Sequence, residues 1–316
     1  MDNDLLILAN QRDYTILPFQ SLNDVDLKYS FVKLNNVLRI IRRLWYIFHL
    51  PYFSVWLNTS NINMSQYKII VIFECSYPLQ IIKQIRKMNK TCKIIYWLWN
   101  PVKNNGKFYN KFKMIHNLII EQKHYDFKIA TFDKIDADKY DFVYLNQVAP
   151  YLKKKERKIV RDLIFIGKDK GRYESVKKIC DIIKKNGKVL KAVIVGGDAG
   201  QQYPEYMVHE YDEMPYTEVI DYILESKCIL DIVQKGQRGI TWRPLEALFY
   251  KKKLITNFKD IKKYDFYSSN NIFVLGDDEE ESLQFFFDKP MDDIKDSVIN
   301  KYKGFMWVEN IRKRFL

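Results

Sequence analysis

Short apolar runs recur along this chain at intervals that a helix can fill. KIIVIF (68–73), KIIYWLW (93–99), KIATF (128–132), DLIFIG (162–167), KAVIVGG (191–197) and Cys228–Val233 are each rich in β-branched or aromatic residues. Leu254–Thr256 and NIFVLG (271–276) extend the series. Helical patterns lie between the runs, over Pro78–Asn89, Phe108–Ile120, Tyr173–Asn186 and Thr217–Ser226. Strands alternating with helices predict an α/β chain in which parallel sheets are covered on both faces, so that their strands read as unbroken apolar runs. The rhythm lapses over the charged segment Tyr144–Arg161 and then resumes. At 316 residues there is length for two cores. Two open α/β domains facing across a cleft are therefore expected, over residues 1–150 and 151–300, with 301–316 a terminal helix packing back on the first domain. Residues 5–10 and 14–18 read as short strands or an irregular opening.

Composition narrows the class. Apolar residues make up 47% and charged residues 29%, as in folded soluble domains. Cys75, Cys92, Cys180 and Cys228 are scattered, with neither a C-x-x-C pair nor a disulfide framework, and read as core thiols of a reducing compartment. The opening MDNDLLILAN is acidic and has no basic n-region, so no secretory signal is expected. The longest apolar run, Leu44–Leu57, is broken by Pro51 and falls short of the ~20 residues of a membrane span. The net charge of +13 divides as +8 over residues 1–150 and +5 over the rest, which suits an anionic partner without choosing one. Phe31–Phe53 reads as a helix in which Lys33, Arg39, Arg42 and Arg43 alternate with Leu34, Val37, Leu38, Ile41, Leu44, Trp45 and Phe48. Two readings fit it: a domain helix facing a sheet, or an interfacial helix on anionic lipid.

Ligands of open parallel sheets gather beyond the C-terminal strand ends. That puts Glu74, Cys75 and Ser76 after one run, Asn100 and Pro101 after another, and Asp133 after a third. In the second half, CILDIVQKGQRGITWRPLEALFYKKKLITN (228–257) reads as strand, glycine-bearing loop, helix and strand, with Pro244 opening the helix. A loop leading into a helix start collects backbone N–H groups and the positive dipole end, which is an anion site. Arg243 at that mouth opposes the dipole unless an anion compensates it, and Glu246 follows in the first turn. Alone, Glu246 would be as well explained as a dipole partner, and Gly196–Gly197 as a tight turn.

With two such domains, the 228–257 stretch resembles the donor-binding signature of GT-B glycosyltransferases, and in particular the bacterial type that builds lipopolysaccharide and capsular polysaccharide. FIGKDKGRY (165–173), Trp99-Asn100-Pro101 and TFDKIDADKY (131–140) add to the likeness, which is good from about Lys68 onwards. The resemblance implies two Rossmann-like domains, the first for the acceptor and the second for a nucleotide-sugar, UDP-linked in the commonest case. It implies hexosyl transfer without a metal at the diphosphate and no cofactor. Gly167, Lys168, Arg172, Gly196, Gly197, Gln237, Gly239, Thr241, Arg243 and Glu246 are the donor-side expectations, with Glu246 on the ribose hydroxyls. Lys170 reads equally well as part of a solvated loop. Trp99 and Asn100 are the acceptor-side expectations, and Glu74 or Asp133 the base. His116 and His124 are weaker candidates, and Asp136-Ala-Asp138 reads as helix-start residues rather than a metal motif. The paired-glutamate pattern E-x7-E of many retaining members is incomplete, because Arg238 stands where the first glutamate would. Stereochemistry stays open.

The partners so implied are a nucleotide-sugar, a glycan or lipid-linked glycan acceptor and an anionic membrane surface, with no nucleic acid. A cytoplasmic protein, peripheral on the inner face of the plasma membrane, is the corresponding location. The alternative is a non-catalytic binder of single-stranded nucleic acid that uses its basic charge and its 22 tyrosines, 20 phenylalanines and 6 tryptophans as stacking platforms. It lacks any RNP-type, KH or helix-turn-helix signature.

Overall fold

The structure is a computed structural model and describes residues 3–10, 13–102, 109–197, 201–234 and 238–316. The chain divides into two units, Met1–Val148 with Gly304–Leu316, and Ala149–Lys303.

Unit 1 holds strands β1 (Leu5–Ala9), β2 (Asp26–Tyr29), β3 (Ile69–Phe73), β4 (Lys93–Leu98), β5 (Phe127–Thr131) and β6 (Val143–Tyr144), and helices α1 (Asn36–Ile47), α2 (Pro78–Met88), α3 (Tyr109–Tyr125) and α4 (Lys134–Tyr140). The sheet is parallel in the order β2-β1-β3-β4-β5-β6, with Ile7 opposite Val71 and Val71 opposite Ile95. Every residue of β1 and β3 is buried, as expected of strands covered on both faces. Tyr14–Pro18 contributes to two 3-10 turns, Asp13–Thr15 and Leu17–Phe19, rather than a strand. The terminal helix belongs to this unit. It spans Gly304–Phe315. Trp307 sits fully inside, 5.3 Å from both Trp97 and Phe19, and its Nε1–H donates to the Asn146 carbonyl at 3.1 Å. Truncating it to alanine would cost about 3–5 kcal/mol. Gly304 is required at the contact, because a Cβ there would lie 1.9 Å from the Pro18 carbonyl oxygen.

Unit 2 holds β7 (Arg161–Lys168), α5 (Tyr173–Lys185), β8 (Leu190–Val195), β9 (Met207–Glu210), α6 (Tyr216–Leu224), β10 (Ser226–Asp231), α7 (Trp242–Phe249), β11 (Lys253–Thr256), β12 (Ile272–Val274), α8 (Leu283–Phe286) and α9 (Asp296–Asn300). The order is β12-β11-β10-β7-β8-β9, again all parallel. The chain starts in the middle at β7, runs out one way, and returns through β10 on the other side. The neighbours β7 and β10 therefore flank a topological switch point, where loops diverge and leave room for a ligand. Four cysteines sit buried and free, and burial pushes their thiols up, that of Cys180 to about 12. They are inert core residues. The largest buried side chains are aromatic, Trp97, Trp307, Tyr96, Phe19, Phe73 and Phe286, so these rings are packing and are closed to base stacking.

Candidate functional site at the switch point of unit 2

Asp231 closes β10 and is almost fully buried. Its carboxylate accepts from the hydroxyls of Thr241 and Thr256, each at 3.2 Å. Burial raises its pKa to about 6, against the pull of those hydroxyls and of the Arg172 and Arg243 guanidiniums. The sequence reading passed over this residue, which looks like an ordinary charge ending an apolar run.

Arg172 precedes α5 and folds back across the switch point. Its guanidinium donates to the carbonyls of Ile232 (2.7 Å), Asp169 (3.2 Å) and Lys168, and lies over the Phe165 ring. Burial lowers its pKa. Gly167 makes the path: a Cβ there would stand 3.0 Å from Arg172 Nη2. Asp169 Oδ1 occupies the N–H groups at the very start of α5, accepting from Arg172 N at the N-cap and from Tyr173 N at 3.1 and 2.9 Å. Lys168 is exposed and paired with Glu213.

The helix α7 begins at Trp242, two residues before the expected Pro244. Thr241 is the N-cap, yet its hydroxyl turns to Asp231 and makes no capping bond. This register puts Arg243 and Glu246 three apart on one face, where side chains meet. They form an ion pair with each other, whereas phosphate and ribose were the partners expected for them. Arg243 also donates through Nε to the Ile166 carbonyl at 3.2 Å, and its side chain stays 21% exposed. Glu246 is fully buried, and its other oxygen lies 3.0 Å from the Tyr216 hydroxyl. Burial would lower the Arg243 pKa, but the adjoining Glu246 charge outweighs it and the net shift is upward. Burial likewise holds the proton on Tyr216. Gly239 is buried in a bend before the helix, and Gln237 lies outside the described residues. Gly196 and Gly197 end β8 at φ 71° and 109°, conformations that a side chain resists.

In unit 1 the expected bases hold backbone. Glu74 Oε2 accepts from Trp99 N and Asn100 N at 2.9 and 3.0 Å, tying the end of β3 to the end of β4. Trp99 is half-buried against Phe73, and Asn100 is exposed. Asp133 is 2% exposed and N-caps α4, accepting from Asp136 N at 3.0 Å, so it stands as a buried cap rather than an open base. Asp136 accepts from Val102 N at 2.6 Å. Among the described residues no group of three or more metal-ligating side chains gathers. His116 and His124 lie exposed on α3.

No family model matches the sequence, and no curated protein matches it. Solved structures do match. The Anabaena protein Alr3699/HepE, solved in complex with UDP and glucose, superposes with TM-score 0.57 at 8% identity, over 99% of each chain. The α,α-trehalose 6-phosphate synthase of Burkholderia multivorans superposes with TM-score 0.54 at 9% identity, over 100% of this chain and 96% of that one. The fold is GT-B. Its two Rossmann-like domains correspond to the two parallel six-stranded sheets described above. In a GT-B chain the polar cluster around Asp231, Arg172 and Arg243 occupies the crevice position of an open parallel sheet.

Proposed function

We propose that this chain transfers a sugar from a nucleotide-sugar, UDP-linked, to a glycan acceptor. The observation that carries the reading is the pair of guanidiniums, Arg172 and Arg243, held against carbonyls and buried carboxylates at the β7–β10 switch point beside the α7 N-terminus. A departing nucleoside diphosphate develops negative charge, and cations fixed in advance stabilise it without reorganising. Arg243 meets the phosphates through its exposed edge, with Thr241 and Gly239 shaping the α7 entrance and Gln237 a donor-side residue by its place in the sequence. Glu246 orients Arg243, and reaches a ribose hydroxyl only when that ion pair opens. Gly167, Lys168, Arg172, Gly196 and Gly197 complete the donor side. The UDP in the Anabaena relative's crystal supports the choice of nucleotide.

Unit 1 takes the acceptor, with Trp99 and Asn100 on that side. Of the two carboxylates, Glu74 is the better base, since it is only partly buried while Asp133 is enclosed. The finer reading is metal-independent hexosyl transfer to a lipid-linked glycan of a surface polysaccharide, lipopolysaccharide or capsule, by a protein peripheral to the inner face of the plasma membrane. No described helix is long and apolar enough to cross a membrane. A panel of sugar-nucleotides scored by nucleotide release tests the assignment. UDP-sugars should turn over, and Arg243→Ala should fall by about a hundredfold or more with its melting temperature checked alongside. Wild-type turnover in Arg243→Ala, or stabilisation of the protein by oligonucleotide and not by UDP, would overturn it.

A further inference from the structure

The aliphatic face of α1 is turned outwards. None of its twelve residues is buried, and Val37, Ile40, Ile47 and the following Phe48 are each more than half exposed. With Leu44 these share one face at helical spacing. The inner face carries Arg42, whose guanidinium sits 4.6 Å from the Phe31 ring centroid and 5.5 Å from that of Tyr77, and Trp45, which packs edge-on against Trp56. A helix packed on a core would face the other way. Charge separates along the same region. From Leu27 to Ile120 the chain holds fifteen lysines and arginines and a single carboxylate, Glu74, so the rest of the molecule is close to neutral. Beside the end of α1 an open groove of about 690 Å³ is lined by Trp45, Tyr52, Phe53, Lys83, Lys87 and Lys90. Among the described residues these three lysines form no ion pair, while Arg86 beneath them is occupied by the carbonyls of Tyr125, Cys92 and Asp126.

We infer that this flank of unit 1 docks on an anionic bilayer, with the outer face of α1 in the acyl boundary and the lysine groove on phospholipid phosphates. An exposed aliphatic stripe beside uncompensated cations is what an interfacial helix presents to such a surface. Nucleic acid fits less well, because Val37, Ile40, Leu44 and Ile47 offer nothing for a base to stack on. A second copy of the chain fits less well too, since a two-fold contact would set the same cations against each other. The inference names the surface behind the membrane association proposed above. It is tested without any donor, so its failure leaves the sugar-transfer reading standing.

The test is flotation of the full chain with phosphatidylcholine vesicles, with and without phosphatidylglycerol. Binding is expected only to the anionic vesicles. Ile40→Glu with Ile47→Glu should weaken it more than tenfold at an unchanged melting temperature, since both side chains are exposed. Lys83→Glu, Lys87→Glu and Lys90→Glu should weaken it by about fivefold or more for each charge. Arg42 is left alone because it faces inwards. Equal binding to both vesicle types, or unchanged binding in the Ile40/Ile47 variant, overturns the inference. So does an oligonucleotide or a self-associated dimer that depends on these residues while vesicle binding does not.

Discussion

At the switch point of unit 2, Arg172 and Arg243 lie against carbonyls and carboxylates of their own domain. On the flank of unit 1, Lys83, Lys87 and Lys90 stand near α1 with no carboxylate to match them. The first arrangement has its counter-charge built in and holds each guanidinium in one place, which suits a compact diphosphate of defined geometry. The second leaves ammonium groups without a matching carboxylate, Lys87 and Lys90 in water and Lys83 over the Tyr125 ring, which suits a broad surface of like charges. A single sign of charge thus serves two kinds of recognition, and burial of the counter-ion separates them.

The largest expected effect follows from that burial. Glu246→Ala removes a fully buried carboxylate and strands the Arg243 guanidinium, so urea unfolding should show a loss of about 3–5 kcal/mol. Lys87→Ala, at an exposed position, should stay within about 0.5 kcal/mol of wild type. Similar losses for both would erase the contrast. Salt sharpens it next. Between about 0.05 and 0.5 M salt the screening length shrinks severalfold, and binding to anionic vesicles should fall on the order of a hundredfold. UDP binding at the partly buried guanidiniums should fall far less. Parallel salt slopes, read by flotation and by calorimetry, would show that both regions act as diffuse charge.

A pH effect of similar kind concerns Asp231. Its folded pKa of about 6 stands above the ordinary 3.8, so the folded state keeps this proton longer than the unfolded chain does. Between about pH 4 and pH 6 the folded state therefore binds more protons, and stability falls as pH rises. The cost is fully present above pH 6 and amounts to about 3 kcal/mol at most. Asp231→Asn should thus gain stability relative to wild type from pH 4 to pH 7.5, measured by urea melts at each pH. A variant whose deficit against wild type widens as pH rises through this range would mean that the charge is a net stabiliser through Arg172 and Arg243.

The strands that were legible in the sequence are those buried on both faces. β3, β4, β5, β7, β8 and β10 come within about two residues of their apolar runs, because a covered parallel strand tolerates no polar interruption. The edge strands β2 and β9 and the two-residue β6 were not, since a half-exposed edge such as DLKY carries no such pattern. At the site, Arg243 and Glu246 stood out by type and place, but their mutual pairing depends on a helix register set at Trp242. Pro244 pointed to a later start, although proline is also tolerated deeper in the first turn. The service of Gly167 to Arg172 crosses five residues and a turn, and only coordinates reveal it. The expected helix over 31–53 shrank to 36–47 for a comparable reason. Apolar residues continue into the loop at Phe48, Leu50 and Phe53, so the pattern conceals both stops: Asn35, whose side chain caps Leu38 N at 2.9 Å, and His49.

His49 supplies the smallest test and bears on how firmly the unit 1 flank is built. Leu50 N bonds the Trp45 carbonyl at 3.0 Å and His49 N bonds that of Tyr46 at 3.2 Å, the paired closure in which the residue after the helix turns left-handed. Histidine holds that turn at φ 52°, where glycine is the usual occupant. His49→Gly should therefore raise stability by a few tenths to about 1 kcal/mol, the relief at φ 52° being partly offset by the freer unfolded chain. His49→Val should lower it, because a β-branched residue fits this region worst. If the end of α1 only presents Phe48 and Leu50 to lipid, thermal melting should separate the two variants while vesicle binding stays the same in both. A change in vesicle binding that tracks the change in stability would mean that the turn itself, and not the aliphatic face, governs docking, and the flank would then resemble the switch point in depending on a fixed geometry.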